Sequence, residues 1–433
     1  MNTAVKEDSS RSSHRLYARL WRWHFFAALI VIPFVLWQSI TGVLYLWHDD
    51  LTAVIYPDKA RVAPASDAAS LESQLATAMR HQPNGRLASI EIHEDPTRST
   101  AFFFADANGL TFPAFTNPHT GEYLGAVEST HWLRGLTKGL HGGWPINPWG
   151  SYLLEIGACW AIVMTLTGLY LWWPRNATGF AGVLYPRLGQ GRRIFWRDLH
   201  ATVGVYFSVI LLLFLFSALP WTTFWGNQVL GPIEKVTHQE SPLGFFFAAG
   251  HHGEHAGHSM PPAPNALALD EIVQRARDAG ARGTLEIRPS PTRDLITLRD
   301  DHPRAWDEVY MQLNGLTGAV QIRADWNDQP ALARLISLGI DLHEGKFFGR
   351  ANQVFNTLMV VALIWLVVTG FMGWYRRRPN GGVSAPPRRE VKFPRSLVAT
   401  GIVLCVVMPL LGLSVLMIAT LDRLFGRVFA RPA

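Results

Sequence analysis

The sequence is poor in charge and in cysteine. Only 17% of its 433 residues are Asp, Glu, Lys or Arg, against 48% hydrophobic. An ordinary soluble domain carries about a quarter charged residues, so the balance speaks against one. Its two cysteines, Cys159 and Cys405, each lie inside an apolar run. That excludes a disulfide framework, a CxxC redox pair and a zinc ribbon, and leaves two packing thiols. There is no P-loop, no GxGxxG opening a helix after a strand, no GxSxG and no HExxH. Nucleotide-cradling, serine-nucleophile and zinc-protease sites of those kinds are absent with them. The net charge of +6 is no nucleic-acid footprint, because the basic residues cluster beside apolar runs.

What the chain has in quantity is long apolar stretches and tryptophan. Its 17 Trp suit membrane–water boundaries, where one ring edge is apolar and the other wet. A helix crosses a bilayer with about 20 apolar residues. Five stretches meet that length: 25–48, 152–173, 201–221, 352–375 and 397–420. Pro33 and Pro409 are expected to kink the first and last. The first run is too long for a signal-peptide core and lacks a small-x-small cleavage site, so it reads as a retained span. The bilayer is therefore the first partner.

Orientation follows from the arginines. Arg11, Arg15, Arg19 and Arg22 lie in segment 1–24, ahead of the first span. Arg175, Arg187, Arg192, Arg193 and Arg197 lie in 174–200. Arg376, Arg377, Arg378, Arg388, Arg389, Lys392 and Arg395 lie in 376–396. By the positive-inside rule these segments are cytoplasmic. The long segments 49–151 and 222–351 are then outside, which in a Gram-negative bacterium is the periplasm. The tail 421–433 falls outside too, against the bias of Arg423, Arg427 and Arg431.

Each outer segment reads as a small α/β module. In the first, 71–79 is an amphipathic helix and 90–92, 101–104 and 111–115 are strands. In the second, 270–279 is the helix and 285–287, 295–298 and 308–313 are strands. Each ends on an Asn-x-x-Thr-Gly turn, Asn117–Gly121 and Asn314–Gly318, whose glycine supplies positive φ. The expected fold is a mainly α membrane protein. It is a duplicated helix-pair bundle of four core transmembrane helices plus a fifth, with two outer α/β modules.

A duplication organises the chain. Leu140-His141-Gly142 matches Leu342-His343-Glu344. Twenty-seven positions separate His141 from Gly168, and 27 separate His343 from Gly370. Thr167-Gly168 thereby aligns with Thr369-Gly370. Trp23-His24 likewise matches Leu199-His200 at the starts of spans one and three. The unit is helix, outer module, histidine, helix, used twice in the same direction as a parallel repeat.

Four histidines thus occupy equivalent span ends: His24 and His200 on the inner side, His141 and His343 on the outer side. A 24-residue helix is about 36 Å long, so the two ends cannot share ligands. Two like-placed pairs suggest two sites. Paired imidazoles in apolar surroundings suit haem iron, which takes one from each side of a flat ring, and four helices make a natural cofactor holder. Gly42, Gly157, Gly168, Gly204 and Gly370 would leave room for the ring or allow close helix packing. Arg19, Arg22, Arg193 and Arg197 are candidate propionate partners inside, and Arg134, Lys138, Lys346 and Arg350 outside. Zinc would ask for more ligands at one spot.

Other readings of these residues stand beside this one. A histidine at a helix end is commonly an interfacial polar residue. His48 and His131 are alternative outer ligands. His251, His252, His255, His258 and Met260, within a His/Met-rich stretch 238–264, are a weak candidate metal loop whose plain alternative is a surface loop. Trp47, Trp132, Trp144, Trp149, Trp221 and Trp225 either line an outer docking surface or form an interfacial belt.

With its Trp23-His24, Leu-His and Thr-Gly-Leu-Tyr-Leu-Trp-Trp-Pro motifs and its Asn-x-x-Thr-Gly turns, the chain resembles the PepSY-associated transmembrane family over residues 15–380. Within that family it looks like the di-haem ferric-siderophore reductases of bacterial inner membranes. The resemblance implies PepSY-like outer modules and two b-type haems per chain, with His24, His141, His200 and His343 as axial ligands. It also implies electron transfer to ferric siderophore in the periplasm. A quinol or a cytoplasmic reductase must supply the electrons, because the cytoplasmic loops are too short to house a flavin or nicotinamide domain. Two rival functions are an electron-transfer protein between quinol and a periplasmic partner, and a non-redox sensor or scaffold.

Overall fold

The computed structural model describes residues 2–106, 110–175, 179–241, 263, 265–302, 304, 306–377 and 393–429. The chain divides into two compact units. One comprises 1–40, 142–230 and 355–433, the other 41–141 and 231–354.

The first unit is helical. Four stretches are long and apolar enough to cross a membrane: His14–Leu46, Trp149–Trp172, Arg192–Trp221 and Arg350–Tyr375. They belong to helices α1 (Asn2–Leu46), α4 (Trp149–Trp172), α5 (Arg192–Ala218) and α8 (Arg350–Tyr375). Helix α1 runs on through Pro33 without a break. Two polar contacts tie α4 to the segment after α5. Buried Glu155 accepts from the Trp225 backbone N–H at 3.1 Å, and Thr223 Oγ1 donates to Ser151 Oγ at 2.8 Å.

The expected fifth span is two helices, α9 (Arg395–Val407) and α10 (Pro409–Phe429), bent by 118° at the break. Proline accounts for it. The residue before a proline is pushed out of the helical region, and Met408 sits at φ −123°, ψ 82°. A bend beyond a right angle turns α10 back. Leu411 of α10 packs with Cys159 and Ile162 of α4, and Trp160 Nε1 donates to Ser414 Oγ at 3.0 Å.

The second unit is built on a sheet. Helix α2 (Leu71–His81) precedes β1 (Arg86–Ile92), β2 (Thr100–Ala105), β3 (Thr111–Thr116) and β4 (Tyr123–Ala126). Helix α6 (Leu269–Asp278) precedes β5 (Thr284–Pro289), β6 (Leu295–Asp301), β7 (Val309–Asn314) and β8 (Val320–Ala324). The two modules are halves of one eight-stranded antiparallel sheet, ordered β4-β3-β2-β1-β5-β6-β7-β8. The halves meet where β1 pairs with β5, with Ile90 opposite Ile287. Alternation then sorts the faces. Ile90, Phe102, Phe104, Leu285, Ile287, Leu298 and Met311 form one core with Leu71 and Leu75 of α2 and Leu269 and Ile272 of α6. Phe103 and Phe115, facing the other way, enclose Trp132, which is only 4% exposed. Trp132 is therefore core and not part of a docking surface.

The helices of the two halves cap each other. Asp270 accepts from the Leu71 and Glu72 backbone N–H groups at 2.6 and 3.2 Å, and Glu72 accepts from Leu269 N–H at 3.1 Å. Each cap satisfies donors that no intrahelical carbonyl can reach, worth about 1 kcal/mol apiece. Both Asn-x-x-Thr-Gly turns form as expected, with Gly121 at φ 72° and Gly318 at φ 69°. The Asn117 and Asn314 side chains accept from backbone N–H groups two residues on, at 2.8 and 2.9 Å.

Two short helices carry His141 and His343. Helix α3 (Leu133–Gly142) holds His141, and α7 (Ala331–His343) ends on His343. Each stops before the span that follows it. Two residues beyond each histidine stands a glycine with positive φ, Gly143 at 105° and Gly345 at 74°, the conformation that ends a helix.

Candidate functional site

In the first unit, His24 of α1 faces His200 of α5. Their ring centres lie 6.4 Å apart and the ring planes cross at 82°. Each ring is held by a threonine from another helix. His24 Nδ1 is 3.1 Å from Thr167 Oγ1, and His200 Nδ1 is 3.1 Å from Thr369 Oγ1 and 3.1 Å from the Leu366 carbonyl. The glycines that follow those threonines stand against the same rings. A Cβ on Gly168 would come 3.2 Å from His24 Cε1, and one on Gly370 3.3 Å from His200 Cε1.

In the second unit, His141 faces His343, with ring centres 6.3 Å apart and planes at 74°. Thr41 Oγ1 lies 2.9 Å from His141 Nδ1, and a Cβ on Gly42 would come 3.2 Å from His141 Cε1. Burial and the neighbouring His343 push the His141 imidazole down to about 4, so it is neutral near pH 7, the form a metal ligand requires. Gly157 and Gly204 serve packing instead, against Phe34 and Leu366.

These dimensions admit one test of fit. An imidazole nitrogen binds a metal at about 2 Å, and its ring centre lies about 1.1 Å further, so two axial imidazoles set ring centres about 6.3 Å apart. Both pairs match. In His24, His200 and His141, with Nδ1 engaged by a hydroxyl, Nε2 is the nitrogen left to bind. Among the described residues no group of three or more His, Cys, Asp or Glu is gathered to hold a bare ion. Paired imidazoles alone suit a metal that brings its own equatorial donors, as haem iron does.

His131 is on the surface with 71% of its side chain exposed, 3.2 Å from Glu128. His48 pairs with Asp49 at 3.1 Å and packs beside Tyr45. The ring opposite His141 is that of His343. The metal-loop candidates His251, His252, His255, His258 and Met260 lie outside the described residues.

Several candidate propionate partners are already engaged. Arg197 and Arg187 both bind buried Asp198, at 2.6 and 2.7 Å. Arg134 binds Glu91 at 2.9 Å, Lys346 binds Glu344 at 3.0 Å, and Arg350 binds Asp50 through both nitrogens. Burial works against the Glu344 carboxylate, yet Lys346 and Lys138 hold it down to about 2. Arg19 and Arg22 lie over the rings of Phe393 and Phe26, and Arg193 is exposed.

Two cations are less compensated. Lys138, one turn before His141, has no carboxylate within ion-pair distance among the described residues, and burial lowers its pKa. Arg377 is lowered by burial and by nearby Arg193 and Arg197, and it acts electrostatically on His200. An added carboxylate would favour the charged form of either cation, as Glu344 already does in part for Lys138.

Sequence reasoning placed the four histidines and missed their supports, Thr41, Thr167 and Thr369, and the cation Arg377. The signal for the threonines was present: Thr-Gly stands at 41–42, 167–168 and 369–370. A family model described as the PepSY-associated TM region matches residues 21–377, a stretch that takes in all four histidines. No curated protein matches the chain.

Proposed function

The chain belongs to the PepSY-associated TM-region family and is a membrane protein, and from that premise we propose that it is a haem-dependent reductase of the bacterial inner membrane acting on ferric siderophores in the periplasm. The observation that carries the reading is the pair of imidazole couples, with ring centres 6.4 and 6.3 Å apart. Two b-type haems per chain would be held by His24 with His200 and by His141 with His343. When bound, haem supplies one-electron chemistry. One electron from a quinol or cytoplasmic reductase converts the Fe(III) of a chelate to Fe(II), which hard oxygen ligands hold far less tightly.

The chain's own residues supply the setting. The four histidines would fix the two sites, His24 and His200 on long apolar helices and His141 and His343 on the short helices α3 and α7. Arg377 on the inner side and Lys138 on the outer side offer charge to propionates. The same unit as the His141–His343 couple carries the ion pairs of Glu91 with Arg134 and of Asp301 and Glu344 with Lys346. No acid–base pair is required for electron transfer. The 118° bend between α9 and α10 supports a C-terminus on the same side as segment 376–396, the cytoplasmic side in this reading, in keeping with Arg423, Arg427 and Arg431.

The test is a single turnover. Protein reduced with dithionite, freed of excess reductant and mixed anaerobically with a ferric trihydroxamate and a chromogenic Fe(II) trap should reoxidise as the ferrous complex forms. One Fe(II) should appear per electron lost. A spectrum that stays reduced with hydroxamate and catecholate chelates alike would defeat the reductase reading and favour a plain electron carrier.

A further inference from the structure

We infer that the three Thr-Gly steps at 41–42, 167–168 and 369–370 are sockets that set the tautomer and the ring orientation of His141, His24 and His200. The inference rests on the haem reading and assigns positioning residues to it.

The argument begins with protons. A threonine inside a helix ordinarily turns its hydroxyl back onto a carbonyl of the preceding turn. Thr167 Oγ1 donates to Met164 O at 2.9 Å, and Thr369 Oγ1 donates to Trp365 O at 2.8 Å. With that proton committed, the oxygen can only accept from the histidine 3.1 Å away. In His24 and His200, Nδ1 therefore carries the ring hydrogen and the Nε2 lone pair is left for iron; Thr41, 2.9 Å from His141 Nδ1, takes the same part by its equivalent place.

The glycine completes the socket. It follows the threonine in the helix and stands against the same ring: a Cβ there would come 3.2–3.3 Å from Cε1, the carbon between the two nitrogens, in all three cases. Glycine costs an exposed helix interior about 1 kcal/mol relative to alanine, so its use at three equivalent contacts reflects a need for space. The hydroxyl fixes one edge of the ring, and the missing side chain fixes how near the ring approaches the helix. Seventeen positions separate His24 from Thr41, and 17 separate His200 from Ser217. The fourth step of the repeat thus reads Ser217-Ala218, and the socket is spelled in full three times.

The experiment uses the full chain, made with ample haem, and five variants. Thr167→Val and Thr369→Val remove the hydroxyl acceptor on either side of one couple, where His200 Nδ1 keeps the Leu366 carbonyl at 3.1 Å; Thr41→Val removes the hydroxyl in the other, and Thr167→Ser restores it. Thr165→Val, which loses only a back-bond to Ala161, controls for helix damage. Haem loss to apomyoglobin and the EPR of the oxidised protein are read for each haem. Thr167→Val and Thr369→Val should each loosen the same haem by about 10–100-fold and alter its EPR. Thr41→Val should do so for the other haem, and Thr167→Ser and Thr165→Val should match the parent.

Parent-like retention and EPR in all three valine variants, in protein that holds two haems, would overturn the sockets and leave the haem reading intact. A parent protein that binds no haem would overturn both. Equal loosening of both haems by every valine variant would also count against the sockets, since general damage predicts that and positioning does not.

Discussion

His200→Ala is expected to lose one haem, or to convert it to a high-spin form, while leaving the second unchanged. His343→Ala should give the complementary result. The reason is that each couple is contained within one unit: His24 and His200 in the helical unit, His141 and His343 in the unit that holds the sheet. Neither couple borrows a ring from the other. An axial ligand bonds directly to iron, so its removal should exceed the roughly 10–100-fold loss of affinity typical of an outer-shell partner. Optical spectra with haem quantification separate the outcomes. If both variants keep two low-spin haems, the four-histidine assignment is wrong.

The second large effect comes from filling the space beside a ring. Gly42→Leu and Gly370→Leu should each displace one histidine, since the Cβ alone would stand 3.2 or 3.3 Å from Cε1. Overpacking of this kind costs about 1–3 kcal/mol, and the ring is the part least anchored by backbone. The expected result is a high-spin or missing haem at the matching couple. Gly204→Ala is the discriminating control. Its Cβ would meet Leu366 at 3.6 Å, an ordinary contact, so both haems should remain low spin. Tolerance of leucine at Gly42 and Gly370 would mean that the rings do not sit where the glycines place them.

The histidines were legible as candidates because their spacing recurs, 27 positions from His141 to Gly168 and from His343 to Gly370: residue type at equal intervals can be read without knowledge of the fold. Their hydroxyl partners were not legible to the same degree, because a helical threonine commonly bonds its own backbone, and only the facing helix reveals a second acceptor role. The joining of the two outer modules was hidden for another reason. Ile90 and Ile287 each read as ordinary strand core, and nothing local says that they pair across nearly 200 residues. Strands β4 and β8 escaped notice because both lie at the sheet's edges, with little of the alternation that marks a half-buried strand. The long-range ion pairs were equally invisible. Arg350 finds Asp50 300 positions away, so a cation chosen for a propionate by its place in the sequence proved already engaged. Pro409 was read as a kink, and the dihedral of Met408 makes it a reversal.

The most direct measurement is an absorption spectrum of detergent-purified protein made with ample haem, oxidised and then dithionite-reduced, with a pyridine haemochrome assay for haem per chain. The account predicts low-spin b-type haem at close to two per chain. A protein with no Soret band under those conditions would contradict it.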